Sequence, residues 1–308
     1  MTLTTVCQSA AEIPDHFQLI DLPKRRRETS VLMITPDFYD VEYVINPHMA
    51  DTNGQLHRID RGRALEQWQE LRRTYESLGL KVEILKGGEG LPDMVFAANQ
   101  SFPFVDSRGQ LMCLPSQMKN IERQNEVAPV AQFYQRLGFK IATLSNSAAT
   151  DTWEGAGDAL WIPGCHGLLI GHGFRTTQNA AFKIAQLVNA PTFLCELTQP
   201  GFYHLDTAIA PISATTALWF PEAFTARGRA LIRRLFVNLI EASAEEAKSG
   251  LACNAHFVDP ETVVLDRCCQ LTSQQLTRRG VRVYTVDVSE FRKSGGSVFC
   301  LKMMLPTA

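Results

Sequence analysis

The chain has 308 residues, of which 45% are hydrophobic and 20% are charged, and its formal net charge at pH 7 is -2. This composition is that of an ordinary globular protein with enough chain for a substantial core. Acidic and basic residues are interspersed, so we expect no nucleic-acid partner, and the single basic run, 24–27, is predicted to lie in a solvated loop. No apolar run approaches the ~20 residues that span a bilayer, so no membrane association is predicted.

The cysteine pattern indicates reduced thiols rather than a disulfide scaffold or a zinc site. The chain has eight cysteines, none of them in a CxxC or Cys/His spacing. Residues 1–12 lack the basic and apolar regions of a signal peptide. We therefore predict a cytoplasmic protein, with no metal ion and no other cofactor.

Helix-then-strand units recur along the chain. Residues 1–30 are predicted to form a loosely tethered N-terminal arm, followed by a buried strand at 31–34. Apolar residues at helical spacing predict a helix over 60–78, and the alternating run 81–85 predicts a strand. The later pairs are helix 127–137 with strand 140–144, helix 178–188 with strand 192–194, helix 221–236 with strand 237–240, and helix 272–279 with strand 282–286.

Additional strand-like runs lie between these pairs, so the order is not a plain βαβ alternation. They occupy residues 167–170, 207–209 and 262–265, where they predict hairpins. No proline-rich or serine-rich linker interrupts the pattern. The sequence therefore predicts a single α/β domain over 31–308, built from about five similar units.

A thiol, a histidine and two carboxylates stand out near the ends of these units. Cys300 follows the glycine pair 295–296, and those glycines permit a tight turn that would expose the sulfur. His204 and Asp206 share one segment, and Glu154 lies in a glycine-containing segment of its own. These are the components of a nucleophilic hydrolase. The alternative is that Cys300 and His204 are buried core residues.

Three further polar residues have two readings each. Residues 92–99 are predicted to form an apolar strand, with Asp93 at its entrance and Asn99 at its exit, where both could simply cap the strand. Arg175 follows a glycine-rich turn and is either a surface charge or a clamp for a carboxylate, which a guanidinium binds with two parallel hydrogen bonds.

Six segments of the chain, in order along the sequence, resemble those of the guanidine-modifying superfamily, also called the amidinotransferase or pentein superfamily. The chain looks most like arginine dihydrolases and the proteins labelled dimethylarginine dimethylaminohydrolase. The resemblance covers residues 31–305 and implies a five-bladed α/β propeller of ββαβ units around a polar channel. The matching segments are 46–49, 93–99, 154–158, 171–176, 202–207 and 295–301.

The resemblance also implies a role for each matching residue. The nucleophile falls on Cys300, the general acid and base on His204, and a guanidinium-binding carboxylate on Glu154. No metal or cofactor is implied. The residues that match substrate-binding positions are Asp206, which would hold the guanidinium, Arg175 and Arg123, which would hold a carboxylate, and Asp93, Asn99 and Asn46, which would line the pocket.

The chain departs from the closest family patterns at a few positions. Arginine deiminases and dimethylarginine hydrolases have an aspartate where this chain has Asn99, while Gln100, Ser101 and His48 also differ from the usual residues. A neutral amide suits a second hydrolysis, of a neutral ureido group, better than an aspartate would. We therefore expect an arginine dihydrolase that yields ornithine, ammonia and carbon dioxide.

Several alternatives to dihydrolysis remain open. The protein could stop at citrulline, as a deiminase or a dimethylarginine dimethylaminohydrolase, or it could be a non-catalytic arginine binder. An amidino transferase is disfavoured, because nothing in the sequence indicates a second amine site. The predicted partner is a small guanidino substrate, arginine or methylarginine, and homo-oligomerisation stays open.

Overall fold

The computed structural model describes residues 6–144 and 150–307, which form sixteen strands in five mixed sheets, together with nine α-helices. The strands are β1 (Val6–Cys7), β2 (Ser30–Ile34), β3 (Lys81–Leu85), β4 (Ser101–Val105), β5 (Leu111–Pro115), β6 (Lys140–Ile141), β7 (Ala159–Trp161), β8 (Leu168–His172), β9 (Thr192–Glu196), β10 (Ile209–Pro211), β11 (Thr216–Trp219), β12 (Asn238–Glu241), β13 (His256–Asp259), β14 (Thr262–Asp266), β15 (Arg282–Val286) and β16 (Met303–Leu305). The helices are α1 (Arg61–Ser77), α2 (Ile121–Gln124), α3 (Val127–Arg136), α4 (Gly155–Asp158), α5 (Gln178–Val188), α6 (Ala226–Leu235), α7 (Ala244–Ser249), α8 (Gln270–Thr277) and α9 (Ser289–Arg292).

Each sheet repeats one ββαβ pattern. A first strand pairs antiparallel with a second, and the second pairs parallel with a third that follows a helix, as in β4, β5, α3 and β6. The other four sheets have first strands β7, β10, β13 and β16. The sheet of β16 is assembled from both ends of the chain, since β16 pairs with β2 and places Met303 opposite Leu32. The predicted α/β class and its hairpins are confirmed.

The helices and strands predicted from periodicity are mostly observed, with shifted ends. Helix α1 begins after Asp60, whose side chain accepts from the N–H of Arg63, and ends before Gly79, which has φ +79°. The helix predicted over 221–236 begins only at residue 226, because the side chain of Thr225 caps it and accepts from the N–H of Gly228. Residues 221–223 form a separate 3-10 turn.

The predicted strand over 92–99 is wrong. Residues 92–95 form a 3-10 helix, and the turns after it are closed by bonds such as that from the N–H of Asn99 to the carbonyl of Phe96. The segment is apolar because it is buried on all sides, rather than because it pairs within a sheet. A short apolar run does not distinguish these two cases.

The described part of the N-terminal arm is packed against the rest of the chain, contrary to the expected loose tethering. Strand β1 pairs parallel with β9, and the side chains of Ile13, Phe17 and Leu19 are buried in the same apolar cluster as Phe193. Residues 1–5 and residue 308 lie outside the described residues. The division into an arm, 1–30, and a domain, 31–308, stays a prediction. In the described residues no helix has the length and apolarity to cross a membrane.

Candidate active site

Five buried polar segments meet where the chain enters the first strands of the five sheets. Asn99 lies just before β4, Asp158 before β7, Asp206 before β10, Asn254 before β13 and Cys300 before β16. Hydrogen bonds join these segments to one another. Residues far apart in the sequence therefore form one site, because each ββαβ unit contributes a residue from the segment that precedes its first strand.

The turn before Cys300 depends on its two glycines. Gly295 has φ +81°, and Gly296 lies so close to Phe96 that an added Cβ would be 2.2 Å from the ring carbon Cε1. The predicted tight turn is therefore present. The expected exposure is wrong, however, because Cys300 is only 2% exposed and is covered by the converging segments.

Asn254 holds Cys300 in place, and the sequence analysis missed it. Its Oδ1 accepts from the backbone N–H groups of Ser297 and Cys300, both at 3.1 Å. Its Nδ2 donates to the Cys300 sulfur and to the Asp206 carbonyl, both at 3.2 Å. One amide thus fixes the turn and places a donor on the sulfur. Its position before the first strand of the fourth sheet matches the other site segments, and this is the signal that could have revealed it.

The substrate-free site favours the neutral thiol of Cys300. Its Sγ donates to Oδ2 of Asp206 at 3.3 Å. Burial raises the pKa of the Cys300 thiol well above its usual range, and the nearby Asp206 carboxylate raises it further. Burial also raises the pKa of Asp206, to about 7. A positive charge entering the site would favour ionisation of both groups.

Glu154 accepts hydrogen bonds from two side chains, one of which is cationic and the other of which becomes cationic when protonated. Its Oε2 lies 2.7 Å from Nε2 of His204 and 2.9 Å from Nη1 of Arg175. Burial alone would raise the pKa of Glu154, but Arg175 and His204 hold it well below its usual range. Glu154 is therefore an ionised carboxylate, and Nε2 of His204 must donate its hydrogen to it. The predicted histidine and carboxylate are adjacent and oriented.

Arg175 has protein partners in the substrate-free structure. In addition to Glu154, it donates from Nη2 to the carbonyl of Ile45 at 3.0 Å, and its guanidinium lies 4.7 Å from the ring centre of Tyr203. It is 4% exposed, so the reading as a surface charge is wrong. Its predicted contact with a substrate carboxylate stays a prediction.

Arg123 fixes the orientation of the Asn99 side chain. Its Nη1 donates to Oδ1 of Asn99 at 2.9 Å, its Nη2 donates to the carbonyl of Asp93 at 3.1 Å, and its remaining donors bind the buried carboxylate of Glu126. Gln100 donates to the same carboxylate at 2.7 Å. The structure thus shows Arg123 engaged by the protein, and its predicted role toward a substrate carboxylate stays a prediction.

Asp93 and Asn46 are both buried, and each is held by hydrogen bonds to other residues. Oδ2 of Asp93 accepts from the hydroxyl of Tyr43 at 2.9 Å, and burial raises the pKa of Asp93 to about 6. Asn46 donates to the carbonyl of Ser294 at 3.0 Å and accepts from the N–H of His48 at 2.9 Å. The Asn46 amide therefore supports the turn before the cysteine.

The buried polar atoms of the site that have no hydrogen-bond partner among the described residues include Oδ1 of Asp93, Oδ1 of Asp206 and Nδ2 of Asn99. Buried polar groups are nearly always paired, so such a cluster is typical of a site that a polar ligand completes. These three atoms offer two acceptors and one donor to such a ligand. Within residues 6–144 and 150–307, no group of three or more His, Cys, Asp or Glu is arranged to hold a metal ion.

An α/β chain of five ββαβ sheets that brings a cysteine, a histidine and buried carboxylates together is organised as a guanidine-modifying hydrolase. The sequence model of the family described as N,N dimethylarginine dimethylhydrolase, eukaryotic, matches residues 41–306. The chain belongs to this family, and it is therefore a hydrolase of guanidino carbon–nitrogen bonds.

Individual relatives support the same assignment. The chain is 34% identical to the N(G),N(G)-dimethylarginine dimethylaminohydrolase of Mycobacterium tuberculosis over 90% of its length and 87% of the relative. It is 32% identical to the bifunctional arginine dihydrolase/ornithine cyclodeaminase ArgZ of Synechocystis sp., over 89% of this chain but only 37% of that protein. The crystal structure of the N-terminal domain of ArgZ with bound substrate superposes with a TM-score of 0.82 at 30% identity, and covers 90% of this chain and 98% of that domain.

Proposed function

We propose that this protein is an arginine dihydrolase, which attacks the guanidinium carbon of L-arginine through Cys300 and hydrolyses the bound product a second time. The products are ornithine, two molecules of ammonia and carbon dioxide. ArgZ is described as an arginine dihydrolase, and a variant of it with serine in place of asparagine has been crystallised covalently bound to a reaction intermediate. Both observations support a covalent dihydrolase reaction here.

The unpaired acceptors of the site suit a guanidinium cation. Oδ1 of Asp93 and Oδ1 of Asp206 are both buried without a partner, and each can accept an N–H of the substrate. The cation would also offset the cost of burying these two carboxylates, whose pKa values are raised by burial in the empty site. In this proposal the substrate supplies a positive charge beside the two unpaired carboxylate oxygens.

The same cation would activate the nucleophile. Once it is bound near Asp206, the positive charge lowers the pKa of Cys300, whose proton passes to His204, and the resulting thiolate attacks the central guanidinium carbon. His204, oriented by Glu154, then protonates the departing nitrogen and later accepts a proton from the water that cleaves the adduct. Nδ2 of Asn254 stabilises the sulfur when it leaves with a negative charge.

The orientation of the Asn99 amide is the single observation that carries the second hydrolysis. Because Arg123 occupies Oδ1 of Asn99, the amide must present its Nδ2, a donor, on its free side. A donor there suits the oxygen of a neutral ureido group, whereas an ionised aspartate would repel it. Asn99 can therefore hold a citrulline-like intermediate for a second attack at the same carbon.

Asn99→Asp tests this proposal. We expect the variant to release citrulline in place of ornithine, because the second step loses its donor while the first faces a cation. The assay is the molar ratio of ornithine to citrulline formed from arginine. Methylarginines, citrulline and agmatine are each assayed separately as substrates. Asn125→Asp, which introduces the same charge at an exposed neighbouring position, should keep the wild-type ratio. Wild-type protein that forms only citrulline contradicts the dihydrolase assignment.

The second candidate is a single hydrolysis of methylated arginine to citrulline and dimethylamine. It is favoured by the description of the matching family and by 34% identity to the Mycobacterium tuberculosis dimethylaminohydrolase. Release of dimethylamine from dimethylarginine, at a rate above that of ammonia release from arginine, would support it over the dihydrolase.

The five sheets also support the propeller that the sequence resemblance implies. We propose that they are the blades of a closed five-bladed α/β propeller, because the first strands β4, β7, β10, β13 and β16 all border one cavity. The site would then lie at one end of the central channel, where the chain enters these strands.

A further inference from the structure

The cavity that the five first strands border lies beyond the candidate active site, further along those strands. It has a volume of about 490 Å³, which falls within the range of small-molecule sites. Its lining includes side chains from all five first strands and from the segment 24–28. The principal apolar residues of its wall are Phe102, Leu160, Trp161, Ile209, Phe257 and Phe299.

The cavity is also lined by a buried ammonium group, that of Lys302. This side chain is 2% exposed, and its Nζ lies 3.2 Å from the ring centre of Phe299 without a hydrogen-bond partner among the described residues. Two carboxylates are near enough to attract it. Glu28 is already bound by Arg25, and Asp206 accepts from Cys300.

An ammonium group on a buried side chain, with no protein acceptor among the described residues, is costly to keep charged unless an anion accompanies it. Burial lowers the pKa of Lys302 to about 7, so contact with an anion would be needed to keep it fully protonated. A second polar atom is also unsatisfied at this place. Nδ1 of His256, which lines the same cavity and whose ring faces Phe299, has no partner.

The basic run 24–27 borders the cavity as well. The guanidinium of Arg25 lies 4.5 Å from the ring centre of Trp161, whereas Lys24 and Arg26 are exposed. Arg25 and Arg27 pair with Glu28 and Asp259, which also line the cavity. The four basic residues of the run still outnumber these two carboxylates, so the approach to the cavity has a net positive charge, which favours the entry of anions. The basic run, which was predicted to lie in a solvated loop, therefore borders a cavity that also has a buried cation and apolar walls.

We propose that this cavity binds a small amphiphilic carboxylate, with the carboxylate on Nζ of Lys302 and the hydrocarbon or aromatic part along the apolar walls. A carboxylate matches the single buried ammonium in charge, and the three N–H groups of a lysine can serve both of its oxygens. A phosphate dianion would remain short of both charge and donors within apolar walls. None of the active-site side chains described above lines this cavity, so its ligand differs from the guanidino substrate.

Isothermal titration calorimetry on the full chain tests the proposal with two acids and their matched alcohols. The probes are octanoate and octan-1-ol, and 4-phenylbutyrate and 4-phenylbutan-1-ol. We expect at least one acid to bind with one site per chain, at least about tenfold more tightly than its alcohol, since a hydrogen bond to a charged group contributes that much. Lys302→Met should remove this preference for the acid. Lys81→Met, at an exposed lysine of β3, should preserve it.

Two further measurements keep the proposal testable if Lys302→Met does not fold. Ala214→Trp places a bulky side chain at a half-buried position of the cavity lining and should abolish binding of the acid. L-Arginine, added in excess to Cys300→Ser protein, should leave the affinity for the acid unchanged. The proposal is overturned if neither acid binds, if acid and alcohol bind equally, if Ala214→Trp has no effect, or if arginine displaces the acid.

Discussion

Replacing Asn254 by aspartate isolates the contribution of one hydrogen-bond donor to the reactivity of Cys300. The substitution keeps an acceptor for the backbone N–H groups of Ser297 and Cys300, so the turn can persist. It replaces the donor on the Cys300 sulfur, now 3.2 Å away, with an oxygen that is an acceptor when ionised. The thiolate should therefore become less stable while the fold is retained.

The magnitude follows from the lost hydrogen bond. A hydrogen bond to a charged group contributes about 1.5–3 kcal/mol. Since 1.36 kcal/mol corresponds to one pKa unit, the loss raises the pKa of Cys300 by about 1–2 units. Repulsion between the introduced carboxylate and the thiolate adds to this increase. At any pH below the thiol pKa, the thiolate fraction should consequently fall at least about tenfold.

The assay is the rate of alkylation of Cys300 by iodoacetamide between pH 7 and 10, followed on the peptide that contains it by mass spectrometry. Resolution by peptide is needed because Cys268 is exposed and will react first. Asn238→Asp, an exposed position on β12, provides the same charge change away from the sulfur and should leave the rate unaltered. An Asn254→Asp variant that is folded by circular dichroism, yet alkylated at the wild-type rate, would show that the donor does not stabilise the thiolate.

Three further predictions concern the nucleophile, the arginine and the stability of the empty site. Cys300→Ser should lower the rate of ammonia release by more than about 10³-fold while leaving the fold intact, because a serine hydroxyl is a far weaker nucleophile; a variant that keeps a tenth of the activity would exclude the covalent route. Arg175→Ala should raise KM for arginine at least about 30-fold more than for agmatine, which has no carboxylate, since truncating a buried charge pair costs ~2–5 kcal/mol; equal losses on the two substrates would mean that Arg175 acts through Glu154 instead. Because burial raises the pKa of Asp206 from its ordinary value of 3.8 to about 7, the folded state holds more protons than the unfolded state between these values, and stability should fall as pH rises through this window. Urea denaturation of the substrate-free protein at pH 5 and pH 8 measures this change, and Asp206→Asn should reduce it.

The sequence predicted the elements whose signals are local. Helix α1 has apolar residues at helical spacing, an aspartate cap at its start and Gly79 at its end, and all three features are observed. The strands that follow helices were also found, since alternation or a short apolar run between turn residues is sufficient for their prediction. The alternation of hairpins and helices was enough to indicate about five similar units.

The sequence failed where contacts are distant. Nothing near Asn254 indicates that it binds the Cys300 sulfur 46 residues away, and Glu126 became significant only through its bonds with Arg123 and Gln100. Local patterns describe one segment at a time, so they reveal neither the bond from Asn254 to a neighbouring unit nor the burial of the Arg123–Glu126 pair within its own unit. The family resemblance brought the predicted residues together, but it assigned to Arg123 only a substrate contact, whereas the structure shows the support that it gives to Asn99.

The arrangement of charges in the empty site connects its stability to its chemistry. Buried Asp93 and Asp206 each have an unpaired oxygen and a raised pKa, and Cys300 retains its proton next to one of them. Burial of these carboxylates is costly without a cation beside them, so binding of a guanidinium would offset that cost and favour the thiolate in the same step. A neutral ligand could do neither. A second attack, on a neutral ureido group, would therefore need another group to hold that ligand. The Nδ2 donor of Asn99, oriented by Arg123, can bind the ureido oxygen.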